Sequence, residues 1–306
     1  MIGTDRPVVV GVDGSPESRA AADWAAREAA ALALPLVLVH AWVEEPLYGA
    51  PAPEREAADR LLDQAVAEVS ERHPALSVRG ELLAATATEG LTAVSEEAEM
   101  LVLGSRGHGA LVGFLLGSVG LPVIAHAARP VVLVRPADGR AHPVEGSLEG
   151  SVGGVVEGAE GSDEVVVGLK DLGPAVVGPL DFAFTAAAAR GAAVRAVRAW
   201  GTPSLFGSDV PGDPAAETEG GLAEREGRAL VQVLDPWRQR YPGVPVIEHV
   251  RFGNASEVLL SAAAFRAALV VVGRRRHRPR LGPRVGPVVH AALHHARPPV
   301  AVVPYD

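Results

Sequence analysis

The sequence predicts an α/β protein of two tandem doubly wound units, each a five-stranded parallel sheet flanked by helices. Two observations carry this. The chain repeats itself, and within each copy short β-branched runs alternate with Ala-rich segments of helical length. The strand-like runs, such as VVVGV and VVLV, are continuously apolar, as in a parallel sheet covered on both faces. Residues 7–42, PVVVGVDGSPESRAAADWAAREAAALALPLVLVHAW, are echoed by 164–200, EVVVGLKDLGPAVVGPLDFAFTAAAARGAAVRAVRAW, and both end in Ala-Trp. Residues 101–135 match 270–304 without a gap, so that Gly104 meets Gly273, Gly117 meets Gly286 and His126 meets His295.

In the first copy the pattern predicts strands near 8–12, 36–41, 77–83, 100–103 and 131–134, with helices near 16–33, 54–72, 89–98 and 118–128. Ser15 is the expected N-cap of the first helix, with Pro16 at its first position and Glu17 at the positive end of the helix dipole. Between the copies, residues 144–163 carry six glycines, five acidic residues and no Lys or Arg. Such a stretch buries too little apolar surface to order itself and reads as a flexible linker. The expected divisions are 1–138, a linker over 139–163, and 164–306.

The length, 306 residues, agrees with two domains of common size. A formal net charge of -9 argues against nucleic-acid binding through a basic surface. The absence of cysteine excludes disulfides, thiolate metal sites and cysteine nucleophiles. No apolar run reaches the ~20 residues of a membrane span, and the first residues lack a signal-peptide layout, so a cytoplasmic location without membrane partners is expected.

In open α/β sheets ligands bind beyond the carboxyl ends of the strands, which directs attention to the loops after strands one, two and four. Neither the dinucleotide fingerprint nor a phosphate loop ending in Gly-Lys-Ser/Thr is present. After strand four, glycines at 104, 107, 109 and 113 let the main chain approach a ligand, and Gly117-Ser118 opens a helix whose free N–H groups attract phosphate.

The spacing G-x-x-G-x(9)-G-S over residues 104–118 resembles the ATP-binding motif of the universal stress protein family. Gly11-Val12-Asp13-Gly14-Ser15 resembles that family's first-strand loop, and the stretch from His126 through Pro130 to Pro136 its last helix and strand. The resemblance covers both units. It implies the strand order 3-2-1-4-5 and pairing of units that can involve the fifth strands. It also implies ATP contacts from Gly11, Val12 and Asp13 at the base and adenosine, Ala41 at adenine, and Leu103 and Gly104 along the nucleotide. Gly107 and Gly117 would give backbone access to the phosphates, and Ser118, Val119 and Gly120 would supply the helix N-terminus. Mg²⁺ is expected with the triphosphate.

The second unit departs from this pattern. Lys170 stands opposite Asp13, Arg276 opposite Gly107, and Pro287, which lacks a hydroxyl and an N–H, opposite Ser118. ATP binding there by the same geometry is not expected. Residues 274–284 hold six arginines. They read as a solvated loop, a site for another phosphate-rich anion, or groups reaching toward the linker or the phosphates of the first half.

His40 and His126 are read as structural, Trp24 and Trp237 as core, and Trp42 and Trp200 as sealing the sheet edge near the ligand side, with contact to adenine the alternative for Trp42. His290, His294 and His295 lack a further ligand at zinc spacing, and no metal site is expected there. The expected function is an ATP-binding stress-response regulator working through nucleotide-dependent conformation or a protein partner, with self-association within or between chains. Arg106, His108 and Ser118 are the groups available near a γ-phosphate and none is a clear general base, so any ATPase activity would be weak. A slow ATP hydrolase and a nucleotide-free oligomeric scaffold are the alternatives.

Overall fold

The computed structural model describes residues 6–43, 52–105, 118–136, 163–201, 215–276 and 285–306. Residues 139–162 of the expected linker over 139–163, with Gly107, Gly117, Arg106 and His108, lie outside the described residues, as do residues 277–284 of the arginine-rich segment.

The first unit runs β1 (Val8–Gly11), α1 (Pro16–Leu32), β2 (Leu36–Trp42), α2 (Ala52–Arg72), β3 (Val78–Ala84), α3 (Ala87–Val94), β4 (Met100–Gly104), α4 (Gly120–His126) and β5 (Val131–Val134). The second repeats it as β6 (Glu164–Gly168), α5 (Val177–Arg190), β7 (Ala193–Trp200), α6 (Ala215–Arg240), β8 (Val246–Phe252), α7 (Ala255–Ala262), β9 (Ala267–Arg275), α8 (Pro287–His295) and β10 (Val300–Tyr305).

Helix α1 begins where its sequence requires. The Ser15 hydroxyl accepts from the Ser18 N–H, Pro16 follows, and Glu17 occupies the first turn. Its buried face is mostly alanine, which lets the helix lie close on the sheet. Helix α3 starts earlier than its apolar pattern suggests, because Thr86 caps it. The Thr86 hydroxyl accepts from the Glu89 N–H at 3.4 Å and donates to the Glu89 carboxylate at 2.8 Å. The same helix stops at Val94 rather than 98, with the Ser95 hydroxyl turned back onto the Thr92 carbonyl at 2.6 Å.

All ten strands form one sheet in the order β3-β2-β1-β4-β5-β10-β9-β6-β7-β8. Each unit is parallel with its first strand central, and the units meet through the antiparallel pair β5–β10, in register Val302 with Val131 and Val300 with Leu133. Both fifth strands are thereby interior, flanked on their other sides by β4 and β9. Alternate strand residues serve opposite faces. Val8, Val10, Leu36 and Leu38 pack under α1 and α2 with the matching residues below α5 and α6. Val9, Val37 and Val39 pack under α3 and α4, in a layer shared with α7 and α8. Trp24 and Trp237 are buried, as their helical positions suggest.

Helices also join across the unit boundary. Glu28 on α1 is buried and is held by both guanidinium nitrogens of Arg190 on α5, Nη1 to Oε1 at 2.9 Å, while the same guanidinium lies over the Trp24 ring. Burial raises the Glu28 carboxyl above its ordinary value, against the pull of the Arg190 charge.

Candidate functional site

The carboxyl ends of β1, β2 and β4 converge in the first unit because the chain reverses its order across β1, and a cleft opens there. It is a cavity of about 400 Å³. Gly11, Val12, Asp13, Ala41, Leu103, Gly104, Ser118, Val119 and Gly120 all line it. These are all the expected contact residues that fall within the described chain. Gly107 and Gly117 are the two that do not.

Local chemistry explains how each wall is held. The Asp13 carboxylate accepts from the Ser15 N–H at 3.0 Å and the Ser15 hydroxyl at 2.5 Å, closing a turn in which Gly14 takes φ +78°. The end of β4 runs against the first turn of α1: a Cβ on Gly104 would stand 2.5 Å from the Glu17 carbonyl carbon and 2.8 Å from the Ser18 nitrogen. Both are main-chain atoms, so this close approach requires glycine. At Gly11 the atom in the way is different, the Leu103 Cδ2 at 2.9 Å, with Leu91 behind it, and both side chains line the cavity.

His40 also lines the cavity. Its Nδ1 lies 2.7 Å from the Val12 carbonyl oxygen, and since a carbonyl only accepts, Nδ1 carries the proton. The structural role expected of His40 is thus correct, but it acts on a cavity wall. Its position just before Ala41, at the mouth end of strand two, was the available signal. His126 caps its own helix, with Nδ1 2.7 Å from the Pro122 carbonyl. Trp42 stands at the end of β2 with Arg55 over its ring. Among the described residues no group of three or more His, Asp or Glu is placed to hold a metal ion.

The second unit keeps a cavity of the same volume, about 400 Å³, at the ends of β6, β7 and β9. Its lining follows the first position by position: Gly168 for Gly11, Leu169 for Val12, Lys170 for Asp13, Ala199 for Ala41, Val272 for Leu103, Gly273 for Gly104 and Pro287 for Ser118. Arg198 replaces His40 and also braces the adjoining loop, donating to the carbonyl of Lys170, one residue past the counterpart of Val12, while Nε pairs with Glu226 at 2.8 Å.

The described start of the arginine-rich segment corrects its reading. Arg274 is buried, with Nη1 donating to the Ala125 carbonyl at 3.0 Å and Nη2 to the Ala127 carbonyl at 2.5 Å. Arg276 donates to the Ala128 carbonyl at 2.6 Å. These two arginines do reach the first unit, but they meet the carbonyls at the end of α4, where the helix dipole is negative, and not a phosphate. Burial lowers the Arg274 pKa from its ordinary value, with Arg276 adding to the effect. His290 and His294 lie side by side on α8 with ring centroids 4.1 Å apart and planes tilted by 38°.

The fold and the two clefts define a tandem α/β protein whose halves each present a cavity at the carboxyl edge of a doubly wound sheet. The Universal stress protein family model matches residues 5–135 and 163–304, and the chain belongs to that family. A universal stress protein of Mycobacterium tuberculosis is 35% identical over 96% of this chain and 96% of its own length, and a second from the same organism is 32% identical over 96% and 95%. Solved structures share the fold. A universal stress protein from Archaeoglobus fulgidus DSM 4304 aligns with TM-score 0.59 at 14% identity over 99% of both chains. A functionally unknown protein from Pseudomonas aeruginosa PAO1 aligns with TM-score 0.64 at 15% identity, over 98% of this chain and 93% of its own.

Proposed function

We propose that the first unit binds ATP and that the protein acts as a stress-response regulator through that nucleotide. The observation that carries the reading is the convergence of Gly11, Val12, Asp13, Ala41, Leu103, Gly104, Ser118, Val119 and Gly120 on one cavity. The donor set fits an adenosine. Val12, Val39, Leu91 and Leu103 form apolar walls, Gly11 leaves room where a Cβ would press on Leu103, and Ala41 offers main-chain groups at the rim. Asp13 is a carboxylate at the loop, suited to accept from ribose hydroxyls. Ser118 supplies a hydroxyl toward the phosphates. Mg²⁺ would be held chiefly by the phosphates themselves and would offset their charge.

Turnover is weak in this reading. Asp13 is engaged with Ser15 and Ser118 is not a base at neutral pH, so in the described lining the activation of water would fall to Glu17 or His40. Regulation then passes through a protein partner that distinguishes nucleotide-bound from free chain. Because β5 and β10 pair within the chain, a homodimer would use a surface other than the fifth strands.

Calorimetric titration of MgATP into nucleotide-stripped protein tests the proposal. One site per chain is expected, lost or strongly weakened in Gly11→Ala, whose new methyl presses Leu103 and Leu91 into the cavity. Two sites per chain would overturn the assignment of the second unit, and no binding would leave the scaffold reading in its place.

A further inference from the structure

The second cavity retains the outline of the first while the chemistry of its walls is changed. We propose that it binds a small monoanionic ligand with an apolar body, an aromatic or aliphatic carboxylate, rather than a nucleoside triphosphate. This inference stands independently of ATP binding in the first unit.

The floor and sides are apolar: Leu169, Val197, Leu259, Val272, Val288 and Val289 line the cavity. Pro287 begins α8 and offers neither the hydroxyl of Ser118 nor an N–H at the first helical position. Gly273 is covered by the Tyr305 ring, whose Cε1 lies 2.6 Å from where a Cβ would stand, whereas the equivalent Gly104 is covered by main chain. An aromatic side chain thus forms one end of this cleft.

The cations decide the charge of the ligand. Arg274 lines the cavity with both its terminal nitrogens committed to carbonyls at the end of α4 in the first unit, while its buried Nε–H has no partner among the described residues. Arg198 is paired with Glu226, and Arg275 lies 3.5 Å from Asp171 with its guanidinium 6.0 Å from the centre of the Tyr305 ring. Lys170 is exposed and lines the cavity, and among the described residues its amine has no ion-pair partner. Lys170, together with the buried Arg274 Nε–H that lacks a hydrogen-bond partner among the described residues, sets a cationic end beside an apolar chamber, which matches one anionic group on an apolar body. A triphosphate would find neither the Ser118 hydroxyl nor an N–H at the first helical position, since Pro287 stands there.

The test is a fluorescence titration of the full chain with anilinonaphthalene sulfonate, an apolar monoanion, competed by decanoate, decanol and MgATP. One saturable site is expected, displaced by decanoate and about tenfold less effectively by decanol. Lys170→Glu, at an exposed position that leaves packing intact, should weaken the dye about tenfold. Ala199→Phe, filling the cavity from the end of β7, should abolish the site, while Gly11→Ala in the first cavity and saturating MgATP should leave it unchanged. Absence of a saturable site, equal displacement by decanol and decanoate, or full affinity in Lys170→Glu would overturn the proposal. So would displacement by MgATP, which would make the cavity a second nucleotide site, and so would loss of the site in Gly11→Ala.

Discussion

Arg274 Nη1 donates to the Ala125 carbonyl oxygen across 3.0 Å, so a side chain at the end of β9 in the second unit holds the last turn of α4 in the first. The relation is reciprocal, since Arg135, just after β5, donates through both terminal nitrogens to the Leu293 and Ala296 carbonyls at the end of α8. Each unit thereby supplies a cation to the negative end of a helix in the other, on either side of the β5–β10 seam.

Removing these arginines should loosen the seam. Arg274→Ala leaves buried helix-end carbonyls without a charged donor and should cost about 2 kcal/mol of unfolding free energy. Arg135→Ala should cost a similar amount. Denaturant unfolding of each variant checks this. Stability unchanged in both variants would mean the seam rests on the strand pair and its other cross-boundary contacts, such as Glu28–Arg190.

The Glu28–Arg190 pair should respond to pH with a defined sign. The folded state raises the Glu28 pKa, so it binds the proton more tightly than the unfolded chain. The resulting stabilisation is full below the unfolded value, about pH 4.3, and is lost as pH rises through the folded value. Wild type should therefore lose stability relative to Glu28→Gln as pH rises through that window. Arg190→Ala should be worse than either, by about 3 kcal/mol at neutral pH, because it strands a buried carboxylate. Unfolding midpoints between acid and neutral pH decide the matter, and a wild type that gains on Glu28→Gln with rising pH would refute the stated sign.

Gly104 and Gly11 should separate stability from binding. The Cβ of Gly104→Ala meets main chain of α1 and must displace the helix start, costing about 2 kcal/mol. That of Gly11→Ala meets flexible leucine ends, and thermal unfolding should register a smaller loss while the cavity narrows. Equal loss of stability in both variants would show that the two contacts yield alike.

Ala33 should be improvable. It ends α1 in the left-handed conformation, φ 55° and ψ 40°, where its counterpart Gly191 ends α5 at φ 64° and ψ 28°. Ala33→Gly should stabilise the protein by about 1 kcal/mol, since glycine takes this conformation without a Cβ penalty. A fall in melting temperature would mean that the added freedom of the unfolded chain outweighs the relieved strain.

The amino-acid sequence by itself determined the repeat, the alternation of strand and helix, and the α1 start at Ser15-Pro16, while nine of the residues that line the first cavity were named through the family resemblance. The first three are properties of short-range pattern: apolar period and cap chemistry. The Thr86 cap of α3 was also legible, as T-x-x-E, but the apolar pattern beginning later obscured it. Only the tertiary structure decided where the charged groups turn. Nothing local in Arg274-Arg275-Arg276 distinguishes an arginine that meets solvent from one that meets a helix end, since that depends on β10 bringing the second unit against β5. The same holds for Glu28, whose partner Arg190 lies in the other unit, and for Arg198 and Arg275 beside Lys170, which pair with Glu226 and Asp171. Patterning fixes which face of an element is buried, whereas the partners of a charge follow from how separate elements are brought together.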